Sequence, residues 1–179
     1  MLDKEFRLVL ERVGDKRPKE STYFAFADTI TAKSYSQKGE SHGWLGIKLQ
    51  LYPGVAPSEI LLHVRMLDES NLMQQEAVGI LGVNLIYGAF KYYSDLEKLI
   101  RSLGDNLEWG RLEIDLIRFT GPYFENVDNR LMALKLVEME LSDAVVFATD
   151  RKTLVHPSDL FYNRELMIMR SMFKQVTTV

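Results

Sequence analysis

The chain has 179 residues, of which 46% are hydrophobic and 26% are charged, as in an ordinary globular domain. Its 22 basic residues are scattered among 25 acidic ones and its net charge is -3, so the clustered cations that nucleic-acid binding requires are missing. It contains no cysteine, which excludes disulfides, thiolate nucleophiles and cysteine-ligated zinc. We therefore expect one domain, residues 1–179, without a nucleic-acid partner.

The sequence also argues against a membrane partner. The first residues lack the basic-then-apolar layout of a secretory signal. The longest apolar run, residues 77–90, is shorter than the roughly 18 to 20 residues that cross a bilayer. Together with the absence of cysteine, these features predict a cytoplasmic protein.

The N-terminal half predicts an appendage followed by strands. Residues 1–20 fit an irregular or helical appendage, because the apolar positions there satisfy both a helical and a strand period. Residues 22–30 are aromatic and β-branched, which favours a strand. Residues 44–51 and 59–66 alternate apolar and polar side chains, and the Tyr-Pro-Gly-Val sequence between them has the residues of a type II turn. These two segments predict an antiparallel hairpin.

A long apolar helix is expected next, with Asp68 or Ser70 as its N-cap. Gln75, Gly79 and Gly82 fall on one stripe of this helix, and the glycines predict close approach of another element. Asn84 lies in otherwise apolar sequence, so its amide must find partners if it is buried.

The remaining elements complete an alternating pattern. Ser94 begins a capping box for a second helix. Residues 112–119 read as a strand whose phase slips at Ile117, which indicates a bulge or a change of exposure along the strand. Asn126 or Asp128 caps a third helix, and residues 144–148 read as a short buried strand. The chain therefore predicts an α/β fold, a single domain with a mixed β-sheet in which a β-hairpin is followed by β-α-β-α-β.

Several blocks carry a resemblance. At HVRMLD, QQEAVGILGVNLIY, GPYFENVDNRLMALKLV and SDAVVFATD, the chain resembles a family of longer bacterial proteins that circulate under the names "TonB-dependent receptor" or "nicotinate-nucleotide adenylyltransferase". The resemblance runs from about Tyr23 to Val176 and implies one domain of a longer parent protein. It implies no catalytic residue. Neither name fits these residues, because a receptor of that kind needs a secretory signal and an adenylyltransferase needs a His/Thr-x-Gly-His motif.

The familiar chemical motifs are missing from the sequence. The glycines do not have the spacing of a phosphate loop, and there is no Gly-x-Ser-x-Gly nucleophile motif. His42, His63 and His156 do not have a metal-ligand spacing. We therefore predict no metal site and leave the cofactor unassigned.

Two groups of side chains remain as candidate ligand sites. The first is the polar side of the hairpin, which shares one face: Trp44, Lys48, Gln50, His63 and Arg65. An aromatic ring beside two cations suits a small anionic ligand, whereas the alternative is a face that is solvated or covered by the N-terminal segment.

The second group follows the carboxyl ends of the predicted strands and their neighbours: Asp68, Arg118, Thr120, Asn129, Arg130 and Asp150. Ligands bind at such ends in parallel sheets. The alternative is that these residues serve only as helix caps and ion pairs.

Two functional classes follow. We favour a ligand-binding or protein-interaction module of a larger cytoplasmic bacterial protein. The rival is an enzyme acting on a nucleotide or small carboxylate, with Asp68 or Asp150 as acid/base or metal-binding carboxylate and Arg118 or Arg65 as anion clamp. A homo-oligomer is also expected, through the Gly/Ala stripe or the C-terminal methionines Met167, Met169 and Met172.

Overall fold

The computed structural model describes residues 1–31, 41–150 and 153–157, and these form an antiparallel sheet, four helices and a small ribbon. The sheet has the spatial order β1-β2-β3-β4, with β1 Phe24–Thr31, β2 Ser41–Leu49, β3 Ser58–Met66 and β4 Leu112–Thr120. The helices are α1 Leu2–Val13, α2 Asn71–Lys91, α3 Leu96–Ser102 and α4 Asn129–Glu138. The ribbon pairs β5 Val146–Phe147 with β6 Leu154–Val155. The predicted α/β class is confirmed, and the methionines 167–172 lie outside the described residues.

The prediction of a mixed sheet is wrong for the described residues, because β1 to β4 are antiparallel throughout. Two helices, α2 and α3, connect β3 to β4 and return the chain to the end of the sheet that it left, where Met66 pairs with Leu112. The buried strand expected at residues 144–148 is also corrected. Only Val146–Phe147 is a strand; it is half-buried and pairs with β6 in the ribbon.

The predicted hairpin of β2 and β3 is confirmed, with Trp44 opposite His63. In the turn, Gly54 has a φ of 72°, which favours glycine, and the Val55 amide donates to the Tyr52 carbonyl at 3.3 Å. The turn fixes the register, and the register decides which side chains share a face.

One face of the sheet carries the core. Alternate residues of β2 and β3 bury apolar side chains against α2, α3 and α4. The strand residues of this core include Leu45, Ile47, Ile60 and Leu62, and the helix residues include Leu81, Leu85, Leu99 and Leu136. Gly82 lies against the Phe26 ring, where an added Cβ would be 3.0 Å from the ring, as the predicted close approach requires. Gln75 and Gly79, on the same predicted stripe, are exposed, and no described element approaches Gly79.

The helix starts follow the predicted capping chemistry in part. Ser70 is the N-cap of α2 but its side chain makes no capping hydrogen bond. Asp95, rather than Ser94, caps α3 by accepting from a backbone N–H at 3.2 Å. Asp128 caps α4, as predicted. Among the described residues, none of the helices combines the length and the apolar character that crossing a bilayer requires.

The opposite face of the sheet, which we call the histidine face, carries Trp44, Lys48, His63 and Arg65. Helix α1 covers one part of it, since Leu2 is buried against Gly46. Elsewhere on this face, His156, which directly follows β6, lies over His63. The alternative of a covered face thus applies to much of the polar side of the hairpin.

Candidate functional site

A β-bulge brings a carboxylate to the buried histidine of β3. His63 pairs with Leu116 and Val64 pairs with Ile114, so Asp115 is the extra residue between them. A bulge re-aims the side chain of the extra residue. Asp115 Oδ1 lies 2.6 Å from His63 Nδ1. The phase slip read from the sequence is therefore a bulge, located at Asp115 rather than at Ile117.

The third member of the cluster comes from the far end of the described chain. His156 Nε2 contacts His63 Nδ1 directly and lies 3.3 Å from Asp115 Oδ2. One donor atom of each of the three side chains lies within 4.8 Å of the other two. We call His63, Asp115 and His156 the His₂Asp cluster.

The His₂Asp cluster is buried and one of its atoms is unsatisfied. The His63 and Asp115 side chains are 0% and 1% exposed, and that of His156 is 7% exposed. Among the described residues, Asp115 Oδ2 accepts no hydrogen bond of good geometry, although His156 Nε2 lies 3.3 Å from it. A buried carboxylate oxygen without a hydrogen bond is costly, on the order of 1–3 kcal/mol or more for a charged group. A positive charge between Asp115 and the two histidines would remove this cost.

Two arrangements can satisfy these atoms. In the first, the Nδ1–H of His63 donates to Asp115 Oδ1 and the Nε2–H of His156 donates to Asp115 Oδ2. This arrangement points two N–H groups at each other, because His63 Nδ1 and His156 Nε2 are also in direct contact. In the second, a cation at the point where the three side chains meet accepts a lone pair from each of them.

Trp44 and His42 lie beside the two histidines of the His₂Asp cluster. The Trp44 ring centroid lies 4.7 Å from that of His63 and 5.8 Å from that of His156. His42 Nδ1 lies 3.2 Å from His63 Nε2, the ring nitrogen that faces away from Asp115. An acceptor at that position fixes the tautomer of His63 and leaves Nδ1 free to act as a metal ligand.

The first predicted group does share the histidine face, but its cations are paired within the chain. Arg65 Nη1 donates to Glu113 at 2.7 Å, and Lys48 contacts both Asp3 and Glu59. Hydrogen bonding to Lys48 lowers the pKa of the Asp3 carboxyl. The two cations therefore already have carboxylate partners, while Trp44 and His63 belong to the His₂Asp cluster and its surroundings.

The remaining member of that group, Gln50, lies just beyond β2. Its amide donates to the Val55 carbonyl at 3.0 Å and accepts from the Tyr23 amide at 3.2 Å. Both bonds stabilise the hairpin turn and its connection to β1.

The second predicted group is not brought together. Because β3 and β4 are antiparallel, Asp68 lies near the start of β4 and Thr120 at its opposite end. Asp68 accepts from Arg111 Nε at 2.9 Å, which joins β4 to the start of α2. Asp150 accepts from the backbone amide and hydroxyl of Thr153 within the ribbon turn.

The other three members lie near the Thr120 end. Arg118 is exposed. The Asn129 side chain accepts from the Phe119 amide at 2.7 Å and donates to its carbonyl at 3.0 Å, so it fastens α4 to β4. Arg130 pairs with Asp128 at 2.7 Å. The geometry here favours the interpretation as caps and structural contacts.

The sequence contains weak signals for the His₂Asp cluster. His63 is a candidate ligand-binding residue, but spacing along the chain predicts no metal site. The phase slip predicted at Ile117 lies close to Asp115, the extra residue of the bulge, without identifying it. His156 has no such signal, since it is 93 residues from His63 and reaches it only through the ribbon.

Comparison of the chain with protein-family models, with curated proteins and with solved structures found no match. The family resemblance described above therefore stays an expectation.

Proposed function

We propose that this chain is a ligand-binding module whose ligand is a divalent first-row transition-metal ion, Zn²⁺ first, held by His63, Asp115 and His156. The observation that carries the proposal is the convergence of two imidazole nitrogens and a carboxylate with an unsatisfied oxygen in one buried site. Two imidazoles with one carboxylate suit Zn²⁺ and its neighbours, whereas Mg²⁺ and Ca²⁺ prefer oxygen ligands.

The burial of the site supports a structural ion. Each of the three side chains offers one ligand atom, so a tetrahedral Zn²⁺ would have three protein ligands and a fourth position for water or a further ligand. The ion would join the sheet to the segment that follows the ribbon. In this proposal His42 is the outer partner of His63, and Trp44 shields the two imidazoles.

We place this module in the cytoplasm, within a longer bacterial protein. The absence of cysteine supports a reducing compartment, and the resemblance supports a longer parent. The rival enzyme on a nucleotide or carboxylate has less support, because its carboxylates Asp68 and Asp150 are held in structural contacts.

Equilibrium dialysis of the chain, freed of metal by a chelator, against Zn²⁺ tests the proposal. The chain has three histidines, so it is used without a histidine tag. We expect one Zn²⁺ per chain, lost in His63→Ala, Asp115→Asn and His156→Ala. His42→Ala should still bind one Zn²⁺, but with an affinity about 10- to 100-fold lower. Asp128→Asn, an exposed carboxylate elsewhere, serves as the matched control and should bind normally.

A thermal measurement complements dialysis. A ligand that binds only the folded state at 100 times its Kd stabilises that state by about 2.7 kcal/mol. For a chain of this size the Tm should rise by about 5–11 °C. Two results would overturn the proposal in favour of a buried histidine–carboxylate ion pair. One is a folded wild-type chain that binds no Zn²⁺. The other is a Zn²⁺ affinity of Asp115→Asn and His156→Ala equal to that of the wild type.

A further inference from the structure

Helix α2 exposes a row of large apolar side chains on the side that faces away from the sheet. The row consists of Leu72, Val83, Tyr87 and Phe90, which are 76%, 66%, 52% and 43% exposed. Their spacings of 11, 4 and 3 residues are close to whole turns of a helix, so they lie on one stripe. Single exposed apolar residues are ordinary, but Val83, Tyr87 and Phe90 are neighbours on one helix face, and an exposed apolar cluster of this kind marks an interaction surface.

A glycine without a neighbour interrupts the stripe. Gly79 has nothing within 4 Å of the position where a Cβ would stand, whereas Gly82 and Gly88 on the same helix lie against Phe26 and Ser102. A glycine in a helix interior costs about 1 kcal/mol relative to alanine. Contacts among the described residues thus explain Gly82 and Gly88 but not Gly79. Close approach of a further helix would explain Gly79.

We propose that a second copy of this chain covers this stripe, with the two α2 helices packed antiparallel across a two-fold axis near Val83. The charges at the two ends of the stripe select this arrangement. Glu76 and Lys91 lie at nearly equal distances on either side of Val83, and both are exposed. An antiparallel pair brings Glu76 of each copy to the level of Lys91 of the other, so two ion pairs form by symmetry.

Neighbouring contacts fit the same arrangement. Glu76 accepts one hydrogen bond from Arg111 at 3.0 Å, yet its side chain remains 63% exposed and has room for the lysine of a second copy. Phe24 of β1, 43% exposed, packs edge-on against Phe90 at 5.2 Å and widens the apolar surface. A parallel pair would instead place Glu76 beside Glu76 and Lys91 beside Lys91, which repel each other.

Sedimentation equilibrium of the full chain over a concentration series tests the proposal. A chelator is present, so the result does not depend on metal. We expect a dimer in the wild type and at least a tenfold higher dissociation constant in Val83→Glu. Leu131→Glu, a substitution of an apolar residue that is 56% exposed on α4, is the matched control and should leave the dimer unchanged.

Charge reversal tests the antiparallel arrangement. Lys91→Glu places two carboxylates at each end and should weaken the dimer, whereas the double variant Glu76→Lys, Lys91→Glu should restore it. A wild-type chain that is monomeric at about 100 µM would overturn the proposal. An unchanged dimer dissociation constant in Val83→Glu would also overturn it, as would an equal increase in Leu131→Glu. A double variant whose dimer is no tighter than that of Lys91→Glu would overturn the antiparallel arrangement.

Discussion

Replacing Asn84 with leucine should destabilise the fold although both side chains branch at Cγ into two heavy atoms. Asn84 is 9% exposed, and its amide nitrogen donates to the Leu103 carbonyl at 3.0 Å and to the Asp105 carbonyl at 2.7 Å. These hydrogen bonds connect the middle of α2 to the segment that follows α3. Leucine has no donor, so both carbonyls lose their side-chain partner.

The cost differs between the two carbonyls. Asp105 is exposed, so water replaces the lost amide there. Leu103 is fully buried and its carbonyl stays without that hydrogen bond. One unsatisfied buried group costs about 1–3 kcal/mol, and the lost hydrogen bond at the exposed carbonyl adds up to about 1 kcal/mol. We expect a total of about 2–3 kcal/mol.

Thermal and urea unfolding of Asn84→Leu measure this loss. At about 2–4 °C per kcal/mol for a chain of this size, the Tm should fall by about 4–12 °C. Gln75→Ala, an exposed polar residue of the same helix, serves as control and should change stability by less than about 0.5 kcal/mol. If Asn84→Leu matched the wild type within 1 kcal/mol, the reasoning about the buried carbonyl would be refuted.

Two further predictions concern a glycine and an ion pair. Gly121 has a φ of 98°, and a Cβ there would lie 2.7 Å from Ser58 Cα, so Gly121→Ala should cost about 2 kcal/mol or more by urea unfolding. Gly54→Ala has an open site and a φ of 72° and should cost only about 1 kcal/mol; equal costs would show that the clash is relieved. The Arg130 guanidinium lowers the pKa of Asp128 to about 2, so the ionised carboxylate stabilises the fold above its ordinary pKa and this contribution disappears as pH falls toward 2. The stability difference between wild type and Asp128→Asn should therefore shrink between pH 5 and pH 2, and a constant difference over that range would argue against the ion pair.

Local patterns predict most elements of this fold and the antiparallel hairpin of β2 and β3, but not the direction of β4. The alternation in residues 44–51 and 59–66 predicted the hairpin because a half-buried strand must alternate. The direction of β4 depends on whether α2 and α3 return the chain to the end of the sheet at which β3 ends. The pairing of Met66 with Leu112 shows that they do, and this is a tertiary contact that no local pattern encodes. The predicted grouping of Asp68 with Thr120 failed for the same reason.

The candidate site was predictable only in its strand residues. The hairpin register places His63 and Trp44 on one face. The phase slip predicted at Ile117 indicates an irregularity close to Asp115 but does not locate it there. The position of His156 depends on where the ribbon packs, and no local periodicity encodes that contact. Ligand spacing along the chain cannot reveal this cluster, because the sheet and the ribbon bring together residues that are far apart in sequence.

X-ray absorption at the zinc edge of the Zn²⁺-loaded chain tests the central claim most directly, because the spectrum counts the imidazoles bound to the metal. The account predicts two imidazole nitrogens at about 2.0–2.1 Å and carboxylate oxygen at about 2.0–2.2 Å. It also predicts that His156→Ala removes one imidazole or abolishes binding. A zinc ion surrounded only by oxygen, or an unchanged spectrum in His156→Ala, would contradict a site made by His63, Asp115 and His156.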